Sequence, residues 1–156
     1  GLIVVFLLYN TGLWEGPIGV KTLHIAAAKM SLPFGQAFFR GILCNWLVTI
    51  AVWLSMASTD VTGKIWAIFF PIMAFVASGF EHCVANMYFL PMGLLLKRVP
   101  SLLQAAQLSD AQLQVMNLGG LVKNLIPVTL GNVVGGVLFI AVFYFFIFKE
   151  KLLASD

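Results

Sequence analysis

Glu81, His82, Cys83 and Asn86 lie within six positions of one another in the run SGFEHCVANM (78–87), between segments that carry almost no charge. Of these the histidine is best suited to chemistry. Its imidazole takes up or releases a proton near neutral pH, and its two distinct nitrogens can hold a ligand and a structural partner together. Glu81 is the adjacent residue, so on any regular backbone the two side chains diverge and do not readily share one ligand. The carboxylate is better placed to cap loop amides or a half-helix N-terminus, where partial positive charge collects. Cys83 and Cys44 both sit in apolar surroundings without CxxC spacing, so neither a disulfide framework nor a zinc site is indicated. A lone histidine in an apolar segment is more often a hydrogen-bonded structural residue, and that reading stays open at this point.

The surroundings give the cluster its weight. Of 156 residues, 61% are hydrophobic and 10% charged, an apolar share well above the roughly half expected of a soluble domain. The composition is that of a membrane protein, and ionisable residues at membrane depth mark a pathway, a relay or a buried pair. The formal net charge is +3, but the nine Lys and Arg are scattered from Lys21 to Lys151, and no nucleic-acid patch forms. The chain begins at Gly1 inside the apolar run GLIVVFLLY, with no initiator Met and no basic leader. That argues against a signal peptide and leads to the expectation of a piece of a longer protein.

Residues 1 to about 14 are too short to span roughly 30 Å of hydrocarbon, which takes about 20 helical residues, and read as the end of a truncated span. The polar stretch EGPIGVKTLHIAAAKMSLPFGQ follows; within it AAAKM predicts a short helix that Pro33 breaks. Residues 36–56 are long enough to span, with Arg40 near one end, where it can snorkel, and Asn45 inside. STDVTGK is a turn-rich loop in which Ser58 or Thr59 can cap the next helix. The apolar pieces 65–80 and 86–96 flank the cluster, and two half-helices joined by a polar break fit them better than one helix. Transporters place such discontinuous helices at the bilayer midplane, where unwound backbone lines a cavity. The polar segment 97–124 predicts a surface-lying, partly amphipathic helix. A last span runs over 126–148, with a GxxxG pair at Gly131 and Gly135 that lets another helix approach closely, and closes on the charged tail KEKLLASD.

The string SGFEHCVANMYFLPMG, with ILCNWLV upstream and NLIPVTLGNVVGG downstream, strongly resembles the formate/nitrite transporter family, and its formate channels in particular, over nearly the whole chain. The resemblance implies an all-α integral membrane protein with an aquaporin-like six-span fold, assembled as a homopentamer in the inner (plasma) membrane, each protomer having its own pore. This chain then corresponds to the part from the end of span 3 (1–14) through span 4 (36–56), broken span 5 (65–80 and 86–96) and span 6 (126–148). The N-terminal half of the same protein, with the other broken helix, would supply the rest of the pore. By motif, His82 is similar to the central pore histidine and Lys29 to the basic residue that draws anions into the outer vestibule. Phe75 looks like a slit-forming aromatic, Asn45 lines or supports the pathway, and Glu81, Asn86 and Asn132 match positions that support the pore loop. Cys83 departs from the pattern, since a serine or other small residue often follows the histidine. No cofactor, metal or nucleic acid and no enzymatic activity are implied; the partners are formate or a similar small anion and the lipid bilayer.

A small anion in a low-dielectric constriction carries a large desolvation cost, which must be met by hydration, neutralisation or positive potential. Half-helix ends at the break aim amide N–H groups at the pore centre, and Lys29 raises the local anion concentration. His82 can then hand its proton to the anion, so that neutral acid passes an aromatic slit that rejects the ion. The runner-up mechanism keeps the anion charged. Nitrite and hydrosulfide are alternative substrates of the same family. A different class, the haem-bearing membrane anchor of a respiratory enzyme, needs paired axial histidines within spans, and His24 reads as a loop residue. On orientation, Lys21, Lys29, Lys97, Arg98 and Lys123 fall on one side and Lys64, Lys149 and Lys151 on the other, so the charge rule alone places the larger group in the cytoplasm. The resemblance implies the reverse, with the C-terminus cytoplasmic.

Overall fold

The computed structural model of the chain describes residues 1–153, with side chains through Lys149; most of the charged tail, Lys151 included, is outside the residues whose side chains are described. Among the described residues the elements are all helical: α1 (Leu2–Asn10), α2 (Pro17–Met30), α3 (Phe34–Ala57), α4 (Val61–Ala77), α5 (Cys83–Leu96), α6 (Pro100–Ala106), α7 (Asp110–Val115), α8 (Leu118–Val133), π-helical turns over Val134–Val142, and α9 (Phe143–Leu153). Two continuous helical stretches are long and apolar enough to cross a membrane: Phe34–Ala57, of 24 residues, and Leu118–Lys149, of 32. At about 1.5 Å per residue both exceed the roughly 30 Å of a hydrocarbon core.

The chain forms two compact units. One is Gly1–Ala37 with Cys83–Pro127, and the other is Phe38–His82 with the chain from Val128 onward. In the first, α2 packs on α5, α6 and α7, and α1 packs on α5. Leu23, Met30, Leu90, Leu96 and Met116 are buried there at 0–1% exposure. Lys97, at the end of α5, donates from Nζ to the Leu113 carbonyl at 2.7 Å and the Met116 carbonyl at 3.0 Å, satisfying carbonyls at the end of α7.

In the second unit α3 lies against the C-terminal part of α8 and the π-helical turns. The helix that Gly131 and Gly135 admit is α3 itself: a Cβ on Gly131 would meet the Phe38 carbonyl oxygen and the Gly41 Cα, and one on Gly135 the Ile42 carbonyl oxygen. Such contact of backbone with backbone is what a small-xxx-small pattern permits between helices. Trp46 stacks on Phe139 (5.5 Å) and Trp53 packs on Tyr144 (4.1 Å) further along the same seam. By contrast α4 has no buried residue in the isolated chain, and Ile65, Trp66, Phe69 and Phe70 are exposed.

Several helix ends fall elsewhere than the sequence predicts. α2 is 14 residues long, not a short turn over AAAKM, because Pro17 occupies its first turn, where the missing N–H costs nothing. The cap of α4 is Asp60, whose Oδ1 accepts from the Gly63 amide at 2.8 Å. A helix beginning at Val61 needs its cap at position 60, and Ser58 instead donates to the Asp60 carbonyl at 3.0 Å. The polar segment after Lys97 is two short helices and the start of a third. Gln107, at φ 47°, ends α6, a Ser109/Gln112 capping box starts α7, and the Asn117 side chain accepts from the Gly120 amide at 2.9 Å at the start of α8. That helix begins eight positions before the expected residue 126 and runs through Pro127.

The end of α4 sets up the site. The Gly79 amide donates to the Val76 carbonyl at 3.1 Å, and the Phe80 amide reaches back to the Phe75 carbonyl at 3.1 Å, while Gly79 sits at φ 67°. This is a Schellman turn, in which a left-handed glycine stops the helix and closes its last carbonyls. An added Cβ at Gly79 would meet nothing within 4 Å, so only the backbone resists substitution. Gly79→Ala is expected to lower stability by about 1 kcal/mol, and Gly79→Asn by less, because asparagine tolerates the left-handed region. Thermal unfolding of the detergent-solubilised full-length protein measures this; equal effects of the two would show that the turn is not held by its φ.

Candidate functional site

Between the end of α4 and the start of α5 the amides of residues 78–80 are taken by the turn that closes α4, and the main-chain groups of Glu81, beyond that turn, need partners from elsewhere. Glu81 is 3% exposed. Its amide donates to the Arg40 carbonyl at 3.3 Å, and its carbonyl accepts from Asn132 Nδ2 at 2.9 Å. The same Asn132 nitrogen donates to the Gly41 carbonyl at 2.9 Å. Asn132 is 4% exposed, and its own main-chain oxygen accepts from Asn45 Nδ2 at 2.6 Å. One buried amide on α8 thus ties the break to α3, and Asn45 ties that amide's backbone to α3 again. The neighbouring His82 is half-buried, and its ring stacks on Phe75, centroids 5.9 Å apart at an interplanar angle of 27°.

Phe75, Glu81, His82, Asn132 and Asn45 are therefore brought together within one unit. Lys29 and Asn86 belong to the other, where an unforeseen residue joins them. Asn124, on α8 and 1% exposed, accepts from Asn86 Nδ2 at 2.7 Å and donates from Nδ2 to the Lys29 carbonyl at 2.8 Å. Its signal was a polar residue one turn before Pro127 in the run KNLIPVT; next to Lys123 it read as the edge of a surface segment. Arg40 enters through its carbonyl, which sequence does not advertise. His24 is exposed on α2, not in a loop. No group of three or more His, Cys, Asp or Glu among the described residues could hold a metal ion.

The arrangement offers a titratable imidazole beside an aromatic ring, in an apolar chain, on a segment whose backbone is fixed by buried amides. This is suited to meeting a small polar solute and not to making covalent bonds in it. Comparison with known proteins narrows it further. The chain is 40% identical to the formate channel FocA of Haemophilus influenzae over 155 residues, covering 96% of this chain and 55% of that protein. It is 39% identical to the uncharacterized transporter YrhG of Bacillus subtilis, covering 96% and 50%. Among solved structures it superposes on a pentameric formate channel with formate bound, with a TM-score of 0.83 at 36% identity, covering 95% of this chain and 60% of that one. It likewise superposes on an FNT family ion channel, with a TM-score of 0.75 at 34% identity. The chain spans about half the length of the curated relatives it matches. These relatives are channels and transporters, not enzymes, and the formate/nitrite transporter model matches residues 1–146: the chain belongs to the formate/nitrite transporter family.

Proposed function

We propose that the full-length protein passes small monovalent anions of weak acids across a membrane, formate foremost, and that His82 protonates the anion at the centre of the pathway. The observation that carries this reading is the interruption at 78–82, which presents His82 against Phe75 (5.9 Å) while Asn132 holds the adjoining Glu81 carbonyl at 2.9 Å. A helix broken at mid-segment and rigidly re-satisfied serves no purpose in a plain anchor, but it gives a permeant an aromatic surface and an imidazole. In this reading Lys29 concentrates the anion at the mouth, Phe75 forms part of the slit, and Glu81, Asn86, Asn132 and Asn45 maintain the loop. By analogy with the pentameric relative the assembly is a homopentamer, with the length this chain lacks relative to its relatives completing each pore. The location is the inner membrane, with the C-terminus cytoplasmic.

Proton transfer from imidazolium to formate is uphill in bulk water, since formic acid is much the stronger acid. In an apolar site two neutral species replace an ion pair, and the desolvation term narrows or reverses the gap. Flux of formate, nitrite and hydrosulfide into liposomes bearing the full-length protein, compared across pH, tests the assignment. Formate is expected to move fastest, and more so as pH falls. Nitrite or hydrosulfide moving far faster would overturn the choice of substrate.

A further inference from the structure

Asn124 belongs to none of the roles assigned so far, yet both ends of its side-chain amide are engaged by other helices. It accepts from Asn86 Nδ2 at 2.7 Å and donates to the Lys29 carbonyl at 2.8 Å, at 1% exposure. Lys29 is the penultimate residue of α2, so its carbonyl is one of those a helix leaves without an intrahelical partner. The Lys29 carbonyl also accepts from the Leu32 amide, at the longer distance of 3.3 Å. The Asn124 bond fixes the α2 terminus, and with it the root of the Lys29 side chain, to α8. Through Asn86 it fixes the same point to the first turns of α5.

We infer that Asn124 is a positioning residue for anion capture: it sets where the Lys29 ammonium stands and registers that point to α5. This rests on the reading of Lys29 as the residue that concentrates the anion. A charge draws anions only as well as it is placed, and its pull is screened by salt, with a screening length of about 8 Å at physiological ionic strength. If Asn124 acts through Lys29, its loss weakens capture and spares the later passage, which appears as a raised half-saturation with an unchanged maximal rate. It also lowers the dependence of capture on salt. A residue that merely supports the fold changes neither of these selectively.

The test uses the full-length protein in liposomes of uncharged lipid, with formate and nitrite as probes at low salt and at about 0.15 M. Asn124→Ala is expected to raise half-saturation for the transported anion about three- to tenfold at low salt, to flatten its salt dependence, and to leave the maximal rate within about twofold. In a Lys29→Gln background the same change is expected to add nothing, because the two substitutions remove one effect. Asn124→Ser, which retains one hydroxyl donor, is the variant to use if the alanine protein does not assemble, and should show a smaller shift of the same kind. Additive effects of Lys29→Gln and Asn124→Ala, or a fall in maximal rate with half-saturation unchanged, would overturn the inference. If the unaltered protein carries neither probe, it is the proposed function that fails. The positioning is then read directly from amide hydrogen exchange at residues 29–32, expected about tenfold faster in the Asn124 variants than in the parent while the rest of α2 is unaffected. No change there would sink the inference on its own.

Discussion

Replacing His82 by asparagine in the full-length protein is expected to reduce pH-dependent uptake of formate about a hundredfold or more while electrogenic flux of the anion persists or grows. Asparagine retains polarity and approximate size and can still hydrogen-bond the anion, but it has no proton to give. The break it stands in should survive, because the Glu81 main chain is held by the Arg40 carbonyl and the Asn132 side chain. The substitution also removes the ring stacked on Phe75. In the parent the protonated fraction of an imidazole falls as pH rises through its titration, so proton-coupled uptake falls with it. In the variant uptake loses that slope. Current recording and weak-acid uptake in the same vesicles separate the two components. If the variant keeps the uptake and the pH profile of the parent, His82 is not the proton donor and the mechanism fails. If electrogenic flux alone was present from the start and is hardly altered, the protein is a plain anion channel.

A second large effect is expected at Gly131. A valine there places its Cβ against the Phe38 carbonyl oxygen and within 3.1 Å of the Gly41 Cα and the Ile42 amide nitrogen. All three are backbone atoms of α3, so no side chain can rotate away and the helices themselves must separate. Overpacking of this kind typically costs 1–3 kcal/mol, and the value here should lie at or above the top of that range, because the displaced seam includes the bonds from Asn132 to Gly41 and from Asn45 to Asn132. Gly35, in the first turn of α3, is the matched control. A Cβ there meets nothing within 4 Å, and Gly35→Ala should be neutral or stabilising by roughly 0.5–1 kcal/mol through backbone entropy. Thermal stability and yield of the detergent-solubilised assembly report both. A Gly131→Val protein as stable as the parent would mean that the close approach of α3 and α8 is not needed.

The interruption at the cluster was legible because two kinds of signal agreed. The apolar pieces 65–80 and 86–96 are each short for a span, and four polar residues together between them cannot face hydrocarbon. The helix on its N-terminal side lies over 61–77 where the sequence pointed to 65–80, since hydropathy marks apolar residues and helix boundaries follow caps. Proline was the main source of the remaining differences: Pro17 and Pro100 begin helices and Pro127 sits inside one, three outcomes that one residue type cannot distinguish without its neighbours. The polar support was only half visible. Asn45, Asn86 and Asn132 stand out as amides in apolar runs, whereas Asn124 lies beside Lys123 and looks like part of a wet surface. Main-chain acceptors such as the carbonyls of Arg40, Gly41 and Lys29 have no sequence signature, because every residue carries one.

The reliance of the break on Asn132 has a consequence for the order in which the protein is made. The partners of that single amide, Glu81 and Gly41, precede it by 51 and 91 residues. At the ribosome's roughly 5–20 residues per second, the break emerges about 3–10 s before the side chain that secures it, and α3 emerges earlier still. During that interval the Glu81 carbonyl has no protein donor from α8, so the loop at 78–82 must wait in a hydrated or chaperoned setting until Asn132 arrives. The break is therefore secured from its C-terminal side, by a residue made after every backbone group that it holds.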